Sequence, residues 1–460
     1  MESNKYNKKY EEQYEQHWQK LQQALEQDNM EGFRNEFLDM HPYDQAMFFM
    51  EQTKAARLKI YTYLSPEEVG NIIEIMDDEK QRRALISEMD PRFASMVLAK
   101  MFADNAVDIL SGMDKDQIAS FLTIMDQEAA KEIKKLLHYE EKTAGSIMTT
   151  EYVATYKTNT AQQTMQQLKE QAPDAETIYY MYVLDDEKRL VGVLSLRDLI
   201  VADEDILIED IMIEKVVAVS VGKDQEEVAQ MMRDYDFLAL PVVDFQGHLL
   251  GIITVDDILD VMEEEASDDY SKLAGVSDMD KPSDTALVSV KKRLPWLVIL
   301  LFLGMLTASL IGRFEETLSQ VSVLAIFIPL IAGMAGNSGT QALAVAVRGI
   351  ANGDYEKQGK ARLVLREGAT GIINGIICGI VILIVIYIWK GKFYLGLLVG
   401  ISIAATLFVA TLAGVLVPML MDRIKIDPAV ASGPFITTVN DIISILIYFS
   451  MATVFMKFLL

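Results

Sequence analysis

The sequence has almost no cysteine and little histidine. Its 460 residues include one cysteine, Cys378, and four scattered histidines. A single cysteine excludes an intramolecular disulfide and a thiolate metal cluster, and inside an apolar run Cys378 is expected to be an inert packing residue. Neither a His-Glu-x-x-His motif nor a nucleophile elbow is present, so the sequence predicts no enzyme.

Acidic residues are scarce in one part of the chain and abundant in the other. Residues 291–460 contain eight acidic and fourteen basic residues, a formal charge of +6, and residues 1–290 carry −31. The total of −25 argues against a nucleic-acid partner, whose binding surface would be basic. A chain of this length predicts two to four domains, and the polar residues 1–20 predict no signal peptide.

Long apolar runs fill the second part of the chain. There are five: Leu294–Gly312, Thr317–Val347, Gly368–Ile388, Phe393–Met421 and Pro428–Met456. The first four are free of charge, and the fifth contains Asp441 alone. About 20 apolar residues cross a bilayer, so each run predicts a membrane-spanning helix.

The basic residues around these runs predict the orientation of the protein, because cytoplasmic loops are enriched in Lys and Arg. If the acidic part is cytoplasmic, ten basic residues fall inside: Lys291, Lys292, Arg293, Arg348, Lys357, Lys360, Arg362, Arg366, Arg423 and Lys425. Four fall outside: Arg313, Lys390, Lys392 and Lys457. We therefore expect a multi-pass protein of the inner (plasma) membrane, with cytoplasmic N-terminal domains and its C-terminus outside.

The first 138 residues read as an acidic all-α domain. Apolar residues recur there at spacings of three and four, and Ser65-Pro66 and Asp90-Pro91 are typical helix starts. A loose Asp-x-x-x-Ala repeat indicates stacked short helices in a small superhelix.

Residues 139–265 contain an internal duplication. Gly192-Val-Leu-Ser-Leu-Arg-Asp-Leu-Ile200 returns as Gly251-Ile-Ile-Thr-Val-Asp-Asp-Ile-Leu259. Each copy reads as strand, helix, strand, turn, strand, helix, with hairpin turns at 185–188 and 244–247. This α/β pattern resembles a tandem pair of CBS domains, a Bateman module. The resemblance implies pseudo-twofold packing, dimerisation and often the sensing of adenine nucleotides.

Two of the apolar runs contain polar residues. A carboxylate at membrane depth is functional by default, so Asp441 is expected to contact an ion; a structural hydrogen bond to a neighbouring helix is the alternative. The second run holds three glycines and four polar residues between Pro329 and Gln341. Small residues allow close helix packing, but the polar density favours an opened helix that presents oxygen atoms to a cation.

Eight of the fourteen residues from Asp256 to Asp269 are acidic. A helix would place Asp257, Asp260 and Glu264 on one side, where like charges repel. A solvated acidic face is the ordinary explanation, yet a hard cation such as Mg²⁺ or Ca²⁺ would relieve the repulsion through oxygen ligands.

These parts together closely resemble the MgtE family of magnesium channels over nearly the whole chain. The motifs that carry the resemblance are Gly336-Asn337-Ser-Gly-Thr-Gln341 and Asp427-Pro-Ala-Val-Ala-Ser-Gly-Pro434, followed by Asp441. The resemblance implies a multidomain protein: a helical N domain (1–138), tandem CBS domains (139–265), a connecting plug helix (266–293) and a five-helix pore domain (294–460). It also implies a homodimer in the bilayer, with a pore on the dimer axis that the plug closes at high internal Mg²⁺.

The resemblance further implies residues for each site. The pore residues that would contact Mg²⁺ are Asp441, Asn337, Asp427 and Glu316. The cytoplasmic regulatory ligands would be Asp104, Asp108, Glu226, Asp236, Asp257, Asp260, Glu265, Asp268 and Asp269. The ATP contacts would be Tyr180, Arg197, Asp198 and Phe237, although Thr254 and Asp257 are alternatives for that cleft. Mg²⁺ is thus the expected ion, and ATP modulation is left open.

Two rival functions remain. The first is a CBS-gated transporter of Mn²⁺ or Co²⁺, since oxygen ligands do not separate these ions sharply from Mg²⁺. The second is a membrane-anchored nucleotide sensor, against which Asp441 argues because a mere anchor needs no buried carboxylate.

Overall fold

The structure is a computed structural model that describes residues 16–76, 78–277, 285–351 and 359–459. The chain forms two compact units, Met1–Met262 and Glu263–Leu460. Residues 278–284 of the predicted connecting helix, and Lys357 among the predicted cytoplasmic cations, lie outside the described residues.

Short helices stack along the first part of the chain, as predicted. Within the described residues they are α1 (16–26), α2 (Met30–Leu38), α3 (Pro42–Glu51), α4 (Lys54–Tyr63), α5 (Pro66–Glu74), α6 (Glu79–Glu88), α7 (Pro91–Leu98), α8 (Ala103–Ser111), α9 (Lys115–Ile124) and α10 (Gln127–Leu136). The predicted helix starts are confirmed. Ser65 caps α5 in a capping box with Glu68, and the Asp90 carboxylate accepts the N–H of Arg92 at the start of α7.

The duplicated region forms two small sheets with flanking helices. The first copy contains β1 (Tyr152–Tyr156), α11 (Ala161–Gln171), β2 (Thr177–Leu184), β3 (Leu190–Ser195) and α12 (Leu196–Val201). The second contains α13 (Ile208–Ile211), β4 (Val219–Ser220), α14 (Gln225–Tyr235), β5 (Ala239–Val243), β6 (Leu249–Thr254) and α15 (Val255–Ala274). In each copy the first two strands are parallel and the last two form a hairpin across the predicted turn. The predicted duplication is therefore confirmed.

The second unit consists mainly of long apolar helices. They are α16 (Ala286–Gly312), the short α17 (Glu315–Gln320), α18 (Ile328–Ala351), α19 (Lys360–Lys390), α20 (Phe393–Arg423) and α21 (Gly433–Leu459). All except α17 are long and apolar enough to cross a membrane, with α18 extended by a 3₁₀ turn at Ser322–Phe327. Cys378 packs against an apolar cluster of this unit, as expected.

The expectation of an opened helix in the second run is wrong. α18 is continuous from Ile328 to Ala351 and includes the whole polar stretch. Its glycines instead allow close approach: a Cβ on Gly336 would lie 2.7 Å from Thr437, and a Cβ on Gly339 would meet the Asn440 amide. Close packing through small residues, the alternative explanation, accounts for the composition.

The acidic run is helical and belongs to α15. This helix begins at Val255 in the second CBS copy and continues to Ala274, while the next described helix begins at Ala286. The division into domains at residues 138, 265 and 293 stays a prediction.

Candidate cation sites

Three carboxylates from distant parts of the sequence meet in the first unit. Asp104 lies in the first turn of α8, Glu176 directly precedes β2, and Asp257 lies in the first turn of α15. Each offers an oxygen within 4.8 Å of the other two, and we call these three residues the acidic group. Such a set of hard oxygen atoms suits a divalent cation such as Mg²⁺ or Ca²⁺.

Two further acids hold α8 in position for this group. The Phe102 N–H donates to the Glu74 carboxylate at 2.9 Å, and the Ala103 N–H donates to Glu151 at 3.2 Å. Carboxylates are favourable at a helix N-terminus because its N–H groups lack partners within the helix. Asp104 is therefore placed on a rigid helix end, where only 5 % of it is exposed.

Burial and mutual repulsion make the three carboxylates hard to ionise. Burial first, and then the charges of Glu176 and Asp257, raise the pKa of Asp104 well above its usual range. The same two causes, burial and then Asp257, raise the pKa of Glu176 to about 8. Burial also raises the pKa of Asp257 to about 6. The charges of Asp256 and Asp260 raise this pKa further, whereas hydrogen bonds from Thr254 lower it. A bound cation would remove this penalty.

Each CBS copy contains a hydrogen bond from a Ser or Thr hydroxyl to an Asp carboxylate three residues later, but the two carboxylates have different surroundings. The Ser195 hydroxyl donates to the Asp198 carboxylate at 2.7 Å, and the Thr254 hydroxyl donates to Asp257 at 2.5 Å. Only the second of these carboxylates joins the acidic group, so a polyphosphate would meet strong repulsion there. The first copy is the better candidate for nucleotide binding.

Three of the residues predicted to contact ATP, Tyr180, Arg197 and Asp198, lie close together in the first copy. Tyr180 of β2 pairs with Ser195 of β3. Ser195 is two residues before Arg197 and three residues before Asp198 in the chain. Tyr180 also packs against the cluster that contains Ala239, which follows Phe237 by two residues. Phe237 is stacked on Tyr235 with ring centroids 5.3 Å apart.

A separate surface cavity of about 700 Å³ does not contain these residues. Its lining includes the carboxylates Glu209, Asp210 and Glu214 and one cation, Lys157. Three acids against one lysine do not suit a polyphosphate, so its size alone does not identify a nucleotide site.

The other predicted regulatory ligands lie along three helices. Asp108 is one turn after Asp104 on α8, Glu226 is in the first turn of α14, and Asp236 ends α14 in a left-handed conformation. Asp260, Glu265, Asp268 and Asp269 follow Asp257 on α15. The acidic group contains Glu176, which we did not predict; a lone acid before a strand carries no periodic or motif signal.

The two predicted motifs of the membrane helices lie side by side. Gly336 packs on Thr437, and the hydroxyls of Thr340 and Thr437 are 3.3 Å apart. Asn337 follows Gly336 in α18, where its side chain is exposed, and Asp441 is half-buried in α21. The amide of Asn440 is buried at this helix contact.

The remaining predicted pore residues are at the ends of helices. Glu316 is exposed in α17. Asp427 precedes a 3₁₀ turn at Pro428–Val430, and one of its oxygens accepts the Ala429 N–H at 2.8 Å. Its other oxygen pairs with Lys272, near the end of α15.

Comparison with known proteins agrees with this organisation. A family profile described as "Divalent cation transporter" matches residues 328–451, "MgtE intracellular N domain" matches 40–142, and the CBS domain matches 144–205 and 208–264. The magnesium transporter MgtE of Enterococcus faecalis is 49 % identical over 93 % of this chain and 95 % of its own. The chain belongs to the MgtE family.

Further members of the MgtE family are similar over almost their full lengths. The protein of Bacillus subtilis is 40 % identical over 92 % of this chain and 94 % of its own. The protein of Thermus thermophilus is 37 % identical over 94 % of this chain and 97 % of its own. All three relatives are named as magnesium transporters.

Two crystal structures of soluble parts resemble the first unit. One is the soluble part of a magnesium transporter, 49 % identical with a TM-score of 0.54, which covers 55 % of this chain and 99 % of that one. The other is the cytosolic domain of the Mg²⁺ channel MgtE in complex with ATP, 38 % identical with a TM-score of 0.50, covering 53 % and 99 %.

Proposed function

We propose that this protein is a channel or transporter for Mg²⁺ uptake that cytoplasmic Mg²⁺ closes. The observation that carries the proposal is a carboxylate, Asp441, in the last of the five long apolar helices found in the described residues. The relatives that match this chain over almost their full lengths are named magnesium transporters. An intramembrane acid marks an ion pathway by default. On this proposal the protein does not act as an enzyme.

Asp441 and Asn337 would contact the ion through its water shell. Mg²⁺ gives up water reluctantly and demands octahedral geometry, so carboxylates and amides that hold the hydrated ion cost less than a cage that strips it. Two copies of Asp441, one from each subunit of a homodimer, would form a carboxylate ring that favours cations. Glu316 and Asp427 would attract the ion at the two ends of this pathway.

Closure would follow from Mg²⁺ binding among the cytoplasmic acids. Without Mg²⁺, Asp104, Glu176 and Asp257 repel each other, and a bound ion would hold the helical domain and both CBS copies together. We assign the same function to Asp108, Glu226, Asp236, Asp260, Glu265, Asp268 and Asp269. Mg²⁺ shifts the gate only if it binds the closed state more tightly than the open one.

The test is Mg²⁺ flux into liposomes that contain the purified protein. Wild type should pass Mg²⁺, and Asp441→Asn should reduce the flux by at least about a hundredfold if the carboxylate is the main cation ligand. Asp422→Asn is the matched control, because Asp422 is a second acid of this unit that pairs with Lys360 at 2.5 Å. Wild-type flux that Asp441→Asn leaves unchanged would refute the assignment.

The selectivity of the pathway and the membrane arrangement belong to the same proposal. We place the N-terminal domains in the cytoplasm and the C-terminus outside, in the inner (plasma) membrane. Competition by Mn²⁺ and Co²⁺ in the liposome assay tests the rival cations. If Mn²⁺ or Co²⁺ gave a larger flux than Mg²⁺ at equal concentration, that ion and not Mg²⁺ would be the preferred substrate.

We also propose that ATP binds the first CBS copy through Tyr180, Arg197 and Asp198, and that Phe237 of the second copy contributes to the same site. The related cytosolic domain crystallised with ATP supports this. Isothermal titration of the full-length protein with ATP should give binding that Asp198→Ala weakens and that Glu209→Ala, in the separate cavity, leaves unchanged. If Glu209→Ala weakened ATP binding and Asp198→Ala did not, the nucleotide site would be the separate cavity instead.

A further inference from the structure

The end of α15 is tied to the turn before α21 by a lysine between two acids. The Lys272 ammonium donates to the Asp268 carboxylate at 2.8 Å and also to Asp427. Asp268 is one turn earlier on the same helix, whereas Asp427 is 155 residues further along the chain. The ammonium therefore connects the acidic helix with the last membrane helices.

Apolar and backbone contacts surround this ion pair. Leu273 packs against a cluster that includes Leu343 of α18 and Ile436 of α21. Gly275 has a φ of +70°, and a Cβ there would lie 3.3 Å from Pro434. A Cβ on Gly433 would lie 3.3 Å from the Leu273 carbonyl oxygen. The closeness of these segments keeps Lys272 beside Asp427.

A third acid completes the group. Burial, and after it the charge of Asp427, raise the pKa of Asp269 to about 6. Burial alone would lower the pKa of Lys272, but its hydrogen bonds to Asp268 and Asp427 raise it above the usual range. Among the described residues, the Lys272 ammonium thus lies beside three acidic side chains, whose oxygen atoms are also the ligands that a divalent cation prefers.

We propose that Lys272 is a built-in cation that competes with Mg²⁺ for Asp268, Asp269 and Asp427. Its ammonium holds the end of α15 against α21 when Mg²⁺ is scarce, and Mg²⁺ must displace it to bind these three acids. This inference rests on the proposed function, because it assigns Lys272 an effect on the Mg²⁺ concentration that closes the pore.

The test compares Lys272→Met with Lys272→Arg in the liposome assay, with Mg²⁺ varied on the cytoplasmic face. Lys272→Met should pass more Mg²⁺ than wild type when cytoplasmic Mg²⁺ is absent, because the tether is gone. It should also close at an Mg²⁺ concentration at least about fivefold lower, because the three carboxylates attract a divalent ion more strongly without the competing ammonium. Lys272→Arg keeps the charge and should behave as wild type.

Lys425→Met controls for the loss of one positive charge near the same turn, since Lys425 is exposed two residues before Asp427. It should shift closure by much less than Lys272→Met. Hydrogen exchange of residues 268–277 provides a readout that does not depend on flux. Without Mg²⁺ the Lys272→Met protein should exchange faster than wild type there, and Mg²⁺ should restore protection.

The outcomes separate the two proposals. If wild type passes no Mg²⁺, the proposed function fails, whatever the variants do. If wild type is closed by Mg²⁺ and Lys272→Met closes at the same or a higher concentration, Lys272 does not compete and the inference is overturned. If Lys272→Met does not fold, Lys272→Gln replaces it under the same criteria.

Discussion

At the scale of single residues, the acids of the cytoplasmic site lie where their charges are unfavourable. Asp104 is buried, and the carboxylates of Glu176 and Asp257 are close to it. A folded protein keeps such groups together only if protons or a cation neutralise them. Stability of the metal-free protein should therefore depend on pH, and Mg²⁺ should alter that dependence.

The first prediction concerns this pH dependence. The pKa of Glu176 is about 8 in the folded protein against an ordinary value of 4.5, so the folded state holds a proton that the unfolded state releases between these values. The free energy of unfolding must then fall as pH rises through that range. In EDTA we expect a lower melting temperature at about pH 8.5 than at about pH 6.5.

Mg²⁺ in the millimolar range should remove most of that difference, because the ion replaces the protons. The measurement is differential scanning fluorimetry of the full-length protein in detergent, with EDTA or Mg²⁺. A metal-free melting temperature that rises from pH 6.5 to pH 8.5 would show that this acidic group does not dominate the titration.

A second prediction concerns Glu176, the ligand candidate that sequence analysis missed. Glu176→Gln removes one of three close charges, so the metal-free protein should become more stable and Mg²⁺ should stabilise it less. The Mg²⁺ concentration that closes the pore should rise about tenfold, as for the loss of one strong charge contact. Asp174→Asn, at an exposed acid in the same connection, should leave both quantities unchanged; equal effects would refute the assignment.

At the scale of elements, α19 and α20 approach each other through small residues. A Cβ on Gly375 would lie 2.7 Å from the Ala404 carbonyl oxygen, and one on Gly379 would lie 2.6 Å from that of Gly400. In a bilayer such close packing is a main source of helix association, because lipid tails are as apolar as the helices.

The third prediction follows from this contact. Gly375→Ala should destabilise the membrane unit by about 1–3 kcal/mol, the usual cost of overpacking, although alanine is the better helix former. Gly304→Ala is the matched control, since a Cβ on Gly304 of α16 meets nothing within 4 Å. Thermal unfolding in detergent distinguishes the two, and equal melting temperatures would contradict the packing argument.

At the scale of the whole molecule, charge divides the chain into an acidic part and an apolar part with a basic excess. The distribution of Lys and Arg around the apolar runs, ten on one side and four on the other, predicts which loops of the apolar part face the cytoplasm. The single cysteine makes this arrangement easy to test.

The fourth prediction uses introduced cysteines in a Cys378→Ala background. A cysteine at Lys392, between α19 and α20, should react with an impermeant maleimide from outside intact cells. A cysteine at Lys425, between α20 and α21, should react only after the membrane is permeabilised. The reverse pattern would invert the proposed orientation.

Much of the architecture followed from local patterns in the sequence. Runs of about 20 apolar residues are recognised by length, and capping residues such as Ser65 and Asp90 act on their own helix turns. The duplication around Ser195 and Thr254 is visible because two copies of one motif must repeat the same register. Local patterns therefore predicted a helical first part, the repeated order of strands and helices in the duplicated region, and the five long apolar helices.

Which polar residues meet could be seen only after the chain had folded. Glu176 joins Asp104 and Asp257, and Lys272 reaches Asp427, through contacts between segments far apart in the chain. The composition around Asn337 suggested an opened helix, yet packing against α21 keeps α18 regular. A sequence pattern records local preference, whereas the partners of a charged or small residue depend on which surfaces the folded chain brings into contact.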